Sequence, residues 1–161
     1  MCLIKQNILN FFYNLRISDI FVGILPIVSI FLVGNYYPAD KQPYRPIFQP
    51  PNIVFPIIWT YISLVFGIVT ILSLKKNNYC ITIIYYLTIL TCLLCWLPIN
   101  YYKYYELGFW LLLITSYISI LYLIFLGITG IRQYIFLLPM PFWLIIATAL
   151  NGVILDKYYS R

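Results

Sequence analysis

Fourteen charged residues punctuate this chain, and the distances between them constrain it more than any motif does. Five stretches carry no charge at all: 20–39, 46–74, 77–102, 107–131 and 133–155. They are 20, 29, 26, 25 and 23 residues long. A bilayer core of about 30 Å is crossed by about 20 helical residues rising 1.5 Å each. Each stretch is long enough to cross. Lipid offers peptide groups no hydrogen-bond partner, so each crossing must satisfy its own backbone as a helix. Strands of a membrane barrel would be about 10 residues long with alternating polarity, and no such alternation is present. The predicted fold is therefore an all-α membrane protein, a bundle of five transmembrane helices. The helices are expected at about 20–37, 54–74, 79–99, 107–128 and 135–155. They fill residues 1–161 as one transmembrane domain, with one long loop at 38–53.

Composition supports the same reading. Only 9% of the residues are charged and 63% are hydrophobic, with a mean hydropathy of +0.92. Soluble domains run at about 25% charged. The formal charge of +6 is carried at span ends, which fits a membrane surface and gives no reason to expect a nucleic-acid partner. The N-terminus does not read as a secretory signal. Lys5, Arg16 and Asp19 leave only a short apolar piece between them, and no small-residue cleavage site follows. Lys5, Arg16, Lys75, Lys76 and Arg132 fall on one side of the bilayer, and Lys41, Arg45, Lys103, Lys157 and Arg161 on the other. That tie leaves the absolute orientation open. An odd number of spans places loop 38–53 and the C-terminus together, opposite the N-terminus. Five prolines (38, 43, 46, 50 and 51) keep that loop out of regular helix.

Several chemistries are excluded. The chain has no histidine, so Ser-His-Asp and Cys-His nucleophiles and His-ligated metal or haem sites are out of reach. No metal and no resident cofactor are expected. Asp19, Asp40, Glu106 and Asp156 all sit at span ends. Proton-coupled transport normally keeps an ionisable group at depth, and acid–base catalysis needs one in its site. Cys92 and Cys95 form a C-x-x-C within helix 3. Thiolates are disfavoured in hydrocarbon, so these read as small packing residues.

Polar and aromatic residues recur at helical spacing inside the spans. Helix 2 carries Trp59, Ser63, Gly67 and Thr70 on one stripe. Helix 4 carries Thr115, Ser119 and Tyr122. Helix 5 carries Trp143, Ala147, Leu150 and Asn151, with Thr148 beside them. Helix packing explains such stripes, because small residues admit close approach and hydroxyls or amides bond across helices. A cavity walled by aromatics with a few polar anchors explains them too. The tyrosines at span ends, such as Tyr36, Tyr37, Tyr101, Tyr102, Tyr158 and Tyr159, read as interfacial anchors.

Two segments resemble a known family. The first runs Arg45-Pro46-Ile47-Phe48-Gln49-Pro50-Pro51, then Asn52-Ile53-Val54-Phe55, then Trp59-Thr60. It is similar to the K/R-P-x-W-x-P-P, V-F-x-x-x-W-T signature of the translocator proteins. These are also called tryptophan-rich sensory proteins or peripheral-type benzodiazepine receptors. The second, Pro139 to Asn151, resembles that family's P-Y-x-x-W-x-x-F-A-T-x-L-N. Trp96-Leu97-Pro98 and Gly108-Phe109 are similar to its W-x-P and G-W. The resemblance covers about 38–155. There are departures. Phe48 and Ile53 stand where the family often has Trp, Ile89 and Leu93 where it has Gln and Asn, and Leu113 near a family Asp.

The resemblance implies a five-helix bundle, often a homodimer, with a cavity beneath loop 1. That cavity would bind porphyrins and other flat hydrophobic ligands. The matching positions are Phe48, Trp59, Phe109, Trp143, Ala147 and Leu150, with Arg45 or Lys41 meeting a porphyrin's carboxylates at the mouth. It also implies a sterol as a second partner. Val153, Tyr158 and Arg161 satisfy a sterol pattern in the tail, although the family's own motif tyrosine falls on Gly152. The leading expectation is a receptor or carrier embedded in the lipid bilayer. Light-dependent porphyrin breakdown is the rival from another class, and a purely structural membrane protein is the third reading. Loop 1 is expected to act as a lid, with Ile47, Phe48, Ile53 and Val54 over the cavity mouth.

Overall fold

The computed structural model describes residues 15–38, 46–76 and 79–160. Among these residues five α-helices run in order: α1 (Ile17–Tyr36), α2 (Val54–Lys75), α3 (Tyr79–Tyr101), α4 (Tyr105–Ile128) and α5 (Pro139–Tyr159). A 3-10 helix, Arg132–Leu137, leads into α5. All five are long and apolar enough to cross a membrane. No strand occurs among the described residues.

The charges that limit the spans do not end the helices; they cap them. Asp19 lies in the first turn of α1, where its carboxylate accepts a hydrogen bond from the Arg16 N–H at 3.0 Å. A carboxylate there also opposes the positive end of the helix dipole. The same oxygen lies 3.4 Å from Lys75 Nζ at the end of α2. This pair fixes the antiparallel register of α1 and α2. α4 closes at Gly130, whose φ of 72° suits glycine. The Ile131 N–H reaches back to the Leu126 carbonyl at 3.0 Å, and Lys76 Nζ donates to the Gly130 carbonyl at 2.9 Å. The fifth α-helix begins at Pro139, four residues later than the sequence suggested. Proline has no N–H and fits best in a first turn, where that N–H would have no helical partner, so Pro139 and Pro141 suit the start. The residues before them wind into the tighter 3-10 form instead.

Each helix packs mainly on its chain neighbours: α1 on α2, α3 on α4, and α4 on α5, while α1 also touches α3. α1 crosses α2 at two glycines. A Cβ added to Gly67 would lie 2.9 Å from the Gly23 Cα and carbonyl carbon. That close approach is the small-residue packing available to helices in lipid. Pro26 sits inside α1 and is its one buried residue. Having no N–H, it leaves the Val22 carbonyl without its helical donor. The Tyr86 hydroxyl of α3 donates to that carbonyl at 2.8 Å, so the break is repaired by a neighbouring helix. Around it lies an aromatic core. Phe66 stacks on Tyr86 at 5.2 Å, and Tyr122 meets Phe66 edge-on at 6.0 Å and bonds Thr70 at 3.2 Å. Ser73 and Thr82 pair at 2.7 Å. The polar stripes of α2 and α4 are packing devices in this half of the bundle.

The ends sort by side. Asp19, Lys75 and Arg132 mark one end of the bundle. The 46–53 segment, Lys103, Glu106 and Lys157 mark the other. We expect cysteines introduced at Gln49 and Ser160 to react with an impermeant thiol reagent from one face of sealed vesicles, and one at Gln133 from the opposite face. Labelling of Gln49 and Ser160 from different faces would contradict five crossings.

Candidate functional site

A cavity of about 340 Å³ opens in the half of the bundle that holds the 46–53 segment. Its volume is at the lower end of the range for small-molecule sites, about 300–1,000 Å³. The last turns of α1 contribute Ile30, Phe31, Gly34 and Asn35, with Tyr37 just beyond. The first turns of α2 contribute Phe55, Pro56 and Trp59. α3 adds Leu93, Trp96 and Leu97, and α5 adds Ala147, Leu150 and Asn151. Gln49 and Asn52 come from the segment before α2.

The indoles of Trp59 and Trp96 form the aromatic part of the wall. Their ring centroids are 6.4 Å apart and their planes differ by 33°. Phe55 is braced from behind by Trp143, edge-on at 5.2 Å. Tyr37 is held by Tyr101 at 5.5 Å and Tyr102 at 6.1 Å. Among the described residues the polar lining comprises the amides of Asn35, Gln49, Asn52 and Asn151 and the phenol of Tyr37. Asn151 spends its Nδ2 on the Ala147 carbonyl at 3.1 Å, and its Oδ1 has no partner. Trp96 Nε1 also has none. A buried polar atom without a partner costs free energy, about 1–3 kcal/mol each. Both atoms are themselves buried and open almost no surface to the cavity.

With this arrangement in view, the chain was compared with known proteins. The model of the TspO/MBR family matches residues 20–156, nearly the whole chain. The chain belongs to the TspO/MBR family. It is accordingly an integral, multi-pass membrane protein, and the five apolar helices are its spans. No curated protein matches it in a direct sequence comparison.

In this TspO/MBR protein, Trp59, Ala147 and Leu150 come together in the cavity wall. Trp143 and Phe109 are not among the lining residues. Trp143 is buried behind Phe55, and its contact with the cavity is indirect. Phe109 packs across the α4–α5 seam, with its ring edge 3.3 Å from where a Cβ on Gly152 would lie. Phe48 is 55% exposed and Ile47 99%. They form the corner of a turn closed by the Gln49 N–H on the Pro46 carbonyl at 3.0 Å, and a turn throws its corner residues outward. The segment thus covers the cavity with Gln49 and Asn52 and not with its apolar residues. Ile53 is also exposed. Arg45 and Lys41 lie outside the described residues.

Of the residues unlike the family pattern, Leu93 lines the cavity, Ile89 is in the core and Leu113 faces outward. Cys95 is exposed and Cys92 half-buried, both as free thiols. In the tail, Tyr158 packs edge-on against Tyr105 at 5.0 Å, while Arg161 lies outside the described residues.

Sequence reasoning missed Phe55, Trp96 and the α1 wall as lining. A signal for Trp96 was present. Five crossings put the start of α2 and the end of α3 at the same side, so Trp59 and Trp96 had to share a depth. For α1 there was none, because Ile30, Phe31 and Gly34 look like any lipid-facing run.

Proposed function

We propose that this TspO/MBR protein is a membrane receptor or carrier for flat, hydrophobic ligands of the porphyrin class, held in the cavity beneath residues 46–53. The observation that carries this reading is the Trp59–Trp96 pair, two adjacent indoles tilted by 33° that both line one largely apolar cavity. Flat rings stack on such surfaces, and indoles give the largest aromatic contact. The apolar wall of Ile30, Phe31, Leu93, Leu97 and Leu150 desolvates the ring. The amides of Gln49 and Asn52 lie toward water, where a ligand's polar edge belongs. Nothing in this reading depends on Arg45 or Lys41. Their pairing with a porphyrin's carboxylates would add affinity through charge-assisted bonds.

Tryptophan fluorescence tests the proposal. The chain has four tryptophans. Trp110 is half exposed on the outside of α4, and Trp143 sits behind Phe55. Replacing these two by Phe leaves Trp59 and Trp96 as reporters. Protoporphyrin should quench this variant saturably, with an affinity close to that of the unmodified protein. Quenching that rises without saturation would leave only partitioning into the bilayer and would overturn the site. Illumination of the saturated complex separates binding from breakdown. A stable porphyrin spectrum supports a receptor, and a spectrum that decays faster than with free porphyrin supports the light-dependent reaction.

A further inference from the structure

The end of the bundle opposite the cavity carries its charge unevenly. Among the described residues, Arg16, Lys75, Lys76 and Arg132 share that end with one carboxylate, Asp19, which Lys75 already pairs at 3.4 Å. At the cavity end Lys103 and Lys157 are matched by Glu106 and Asp156. The cations in excess are Arg16, Lys76 and Arg132, all exposed.

Two hydrogen bonds from α2 bring Lys76 and Arg132 to one place. Just past the end of α2, Lys76 Nζ donates to the Gly130 carbonyl at 2.9 Å; near its start, the Tyr61 hydroxyl donates to the Phe136 carbonyl at 2.9 Å. The two donors are about 22 Å apart along the helix at 1.5 Å per residue. Segment 130–136 is therefore strapped lengthwise along α2, against which the 3-10 helix packs. Arg132 lies two residues from the Lys76 anchor, and Phe136 lies toward the bilayer interior. Between the two bonds, α2 presents one apolar stripe. Leu64 and Ile68 follow Tyr61 at helical spacing and are exposed, and Leu72 beyond them is half-buried. Ile135 and Phe136 on the strap are more than half exposed. An apolar track of α2 and the 3-10 helix thus leads up to two cations.

We propose that this track binds a phospholipid with an anionic headgroup, its phosphate held between Lys76 and Arg132 and one acyl chain laid along Ile68, Leu64 and Phe136. Charge selects the occupant. Lys76 uses one ammonium proton on Gly130 and keeps the others, and Arg132 has no carboxylate partner among the described residues. A guanidinium offers phosphate paired N–H donors, and an ammonium adds a point charge. A zwitterionic lipid carries its own cation beside the phosphate and gains less from two more. Free phosphate would satisfy the cations and leave the track unused. One leaflet's hydrocarbon, about 15 Å deep, extends from Lys76 past Ile68, so the track is as long as one leaflet requires. The inference does not rest on the porphyrin reading, and its assays contain no porphyrin.

The test uses the full chain, delipidated in a neutral detergent. It is titrated with dioleoyl phosphatidylglycerol or dioleoyl phosphatidylcholine, with bound lipid counted by native mass spectrometry and thermal midpoints recorded in parallel. Phosphatidylglycerol should bind more tightly and raise the midpoint further. Arg132→Gln should weaken it about fivefold, the effect of one surface cation near anionic lipid, and leave phosphatidylcholine unchanged. Arg132→Lys should retain most of the binding, and Lys103→Gln, at the opposite end, all of it. Arg132 is exposed, so the lipid-free midpoint of Arg132→Gln should match that of the unmodified chain, which checks that it is folded. Inorganic phosphate and glycerophosphoglycerol carry the anion without acyl chains, and neither should raise the midpoint where the lipid saturates. Equal binding of the two lipids would overturn the proposal, as would unchanged affinity in Arg132→Gln or an equal loss in Lys103→Gln. Protection by inorganic phosphate as strong as by the lipid would leave an anion site only, and would overturn it too.

Discussion

Trp59→Ala should weaken protoporphyrin binding by about 1–3 kcal/mol, the range for losing one aromatic stacking surface under a flat ring. That is about 5- to 150-fold in dissociation constant. Trp59 lines the cavity beside Trp96, with ring centroids 6.4 Å apart. The same truncation at Trp143 should behave differently. Trp143 is 5% exposed and braces Phe55 from behind. Its loss opens a cavity inside the helix packing, which costs stability, about 3–5 kcal/mol for a buried Trp to Ala. Titration of folded protein should then find the affinity of Trp143→Ala closer to that of the unmodified chain than Trp59→Ala is. The reverse order would show that the ligand reaches behind Phe55, and the cavity described above would not be the binding surface.

Gly67→Leu should be the most damaging single substitution at a helix contact. Even a bare Cβ there would meet the Gly23 backbone at 2.9 Å, closer than carbon atoms pack. Neither partner is a flexible side chain, so the helices themselves must separate. Overpacking of this kind costs about 1–3 kcal/mol before secondary losses. Separation of α1 from α2 also strains the Tyr86–Val22 hydrogen bond and the Lys75–Asp19 ion pair, which lie near the crossing. Gly34→Ala, on α1, is the control. Nothing lies within 4 Å of a Cβ at Gly34, and alanine favours helix over glycine by about 1 kcal/mol. Thermal unfolding in detergent should show a large drop for Gly67→Leu and no drop for Gly34→Ala. Equal midpoints for Gly67→Leu and the unmodified protein would mean that α1 is not held at this crossing.

The positions of the charges sufficed for the number of helices, because a buried charge in hydrocarbon is so costly that the gaps between charges must be the spans. They were poor guides to helix ends. Asp19 and Glu106 lie inside first turns, where a carboxylate suits the dipole, so α1 and α4 begin earlier than the charge-free runs. Prolines were the better markers where they cluster, as Pro139 and Pro141 show. Part of the cavity was equally legible. Trp59 stood out as an aromatic on a stripe of small and polar residues, while Ala147 and Leu150 came from the family resemblance. Trp143 stood out as Trp59 did but sits behind the wall. A stripe gives the angle of a residue about its helix, while lining depends also on what packs in front of it, and here that is Phe55.

From sequence alone came the class of structure, the membrane and the side on which loop 38–53 meets the C-terminus, all from one energetic rule about charge and lipid. Tertiary structure decided the rest, because it depends on pairs of residues far apart in the chain. Gly23 matters only because Gly67 lies opposite. Pro26 is tolerated where Tyr86 can serve the carbonyl it strands. Ile47 and Phe48 turn away from the cavity because a turn closes at Pro46 and Gln49. In a chain so uniformly apolar, composition cannot tell a residue that packs on protein from one that packs on lipid, and the arrangement of the helices supplies that distinction.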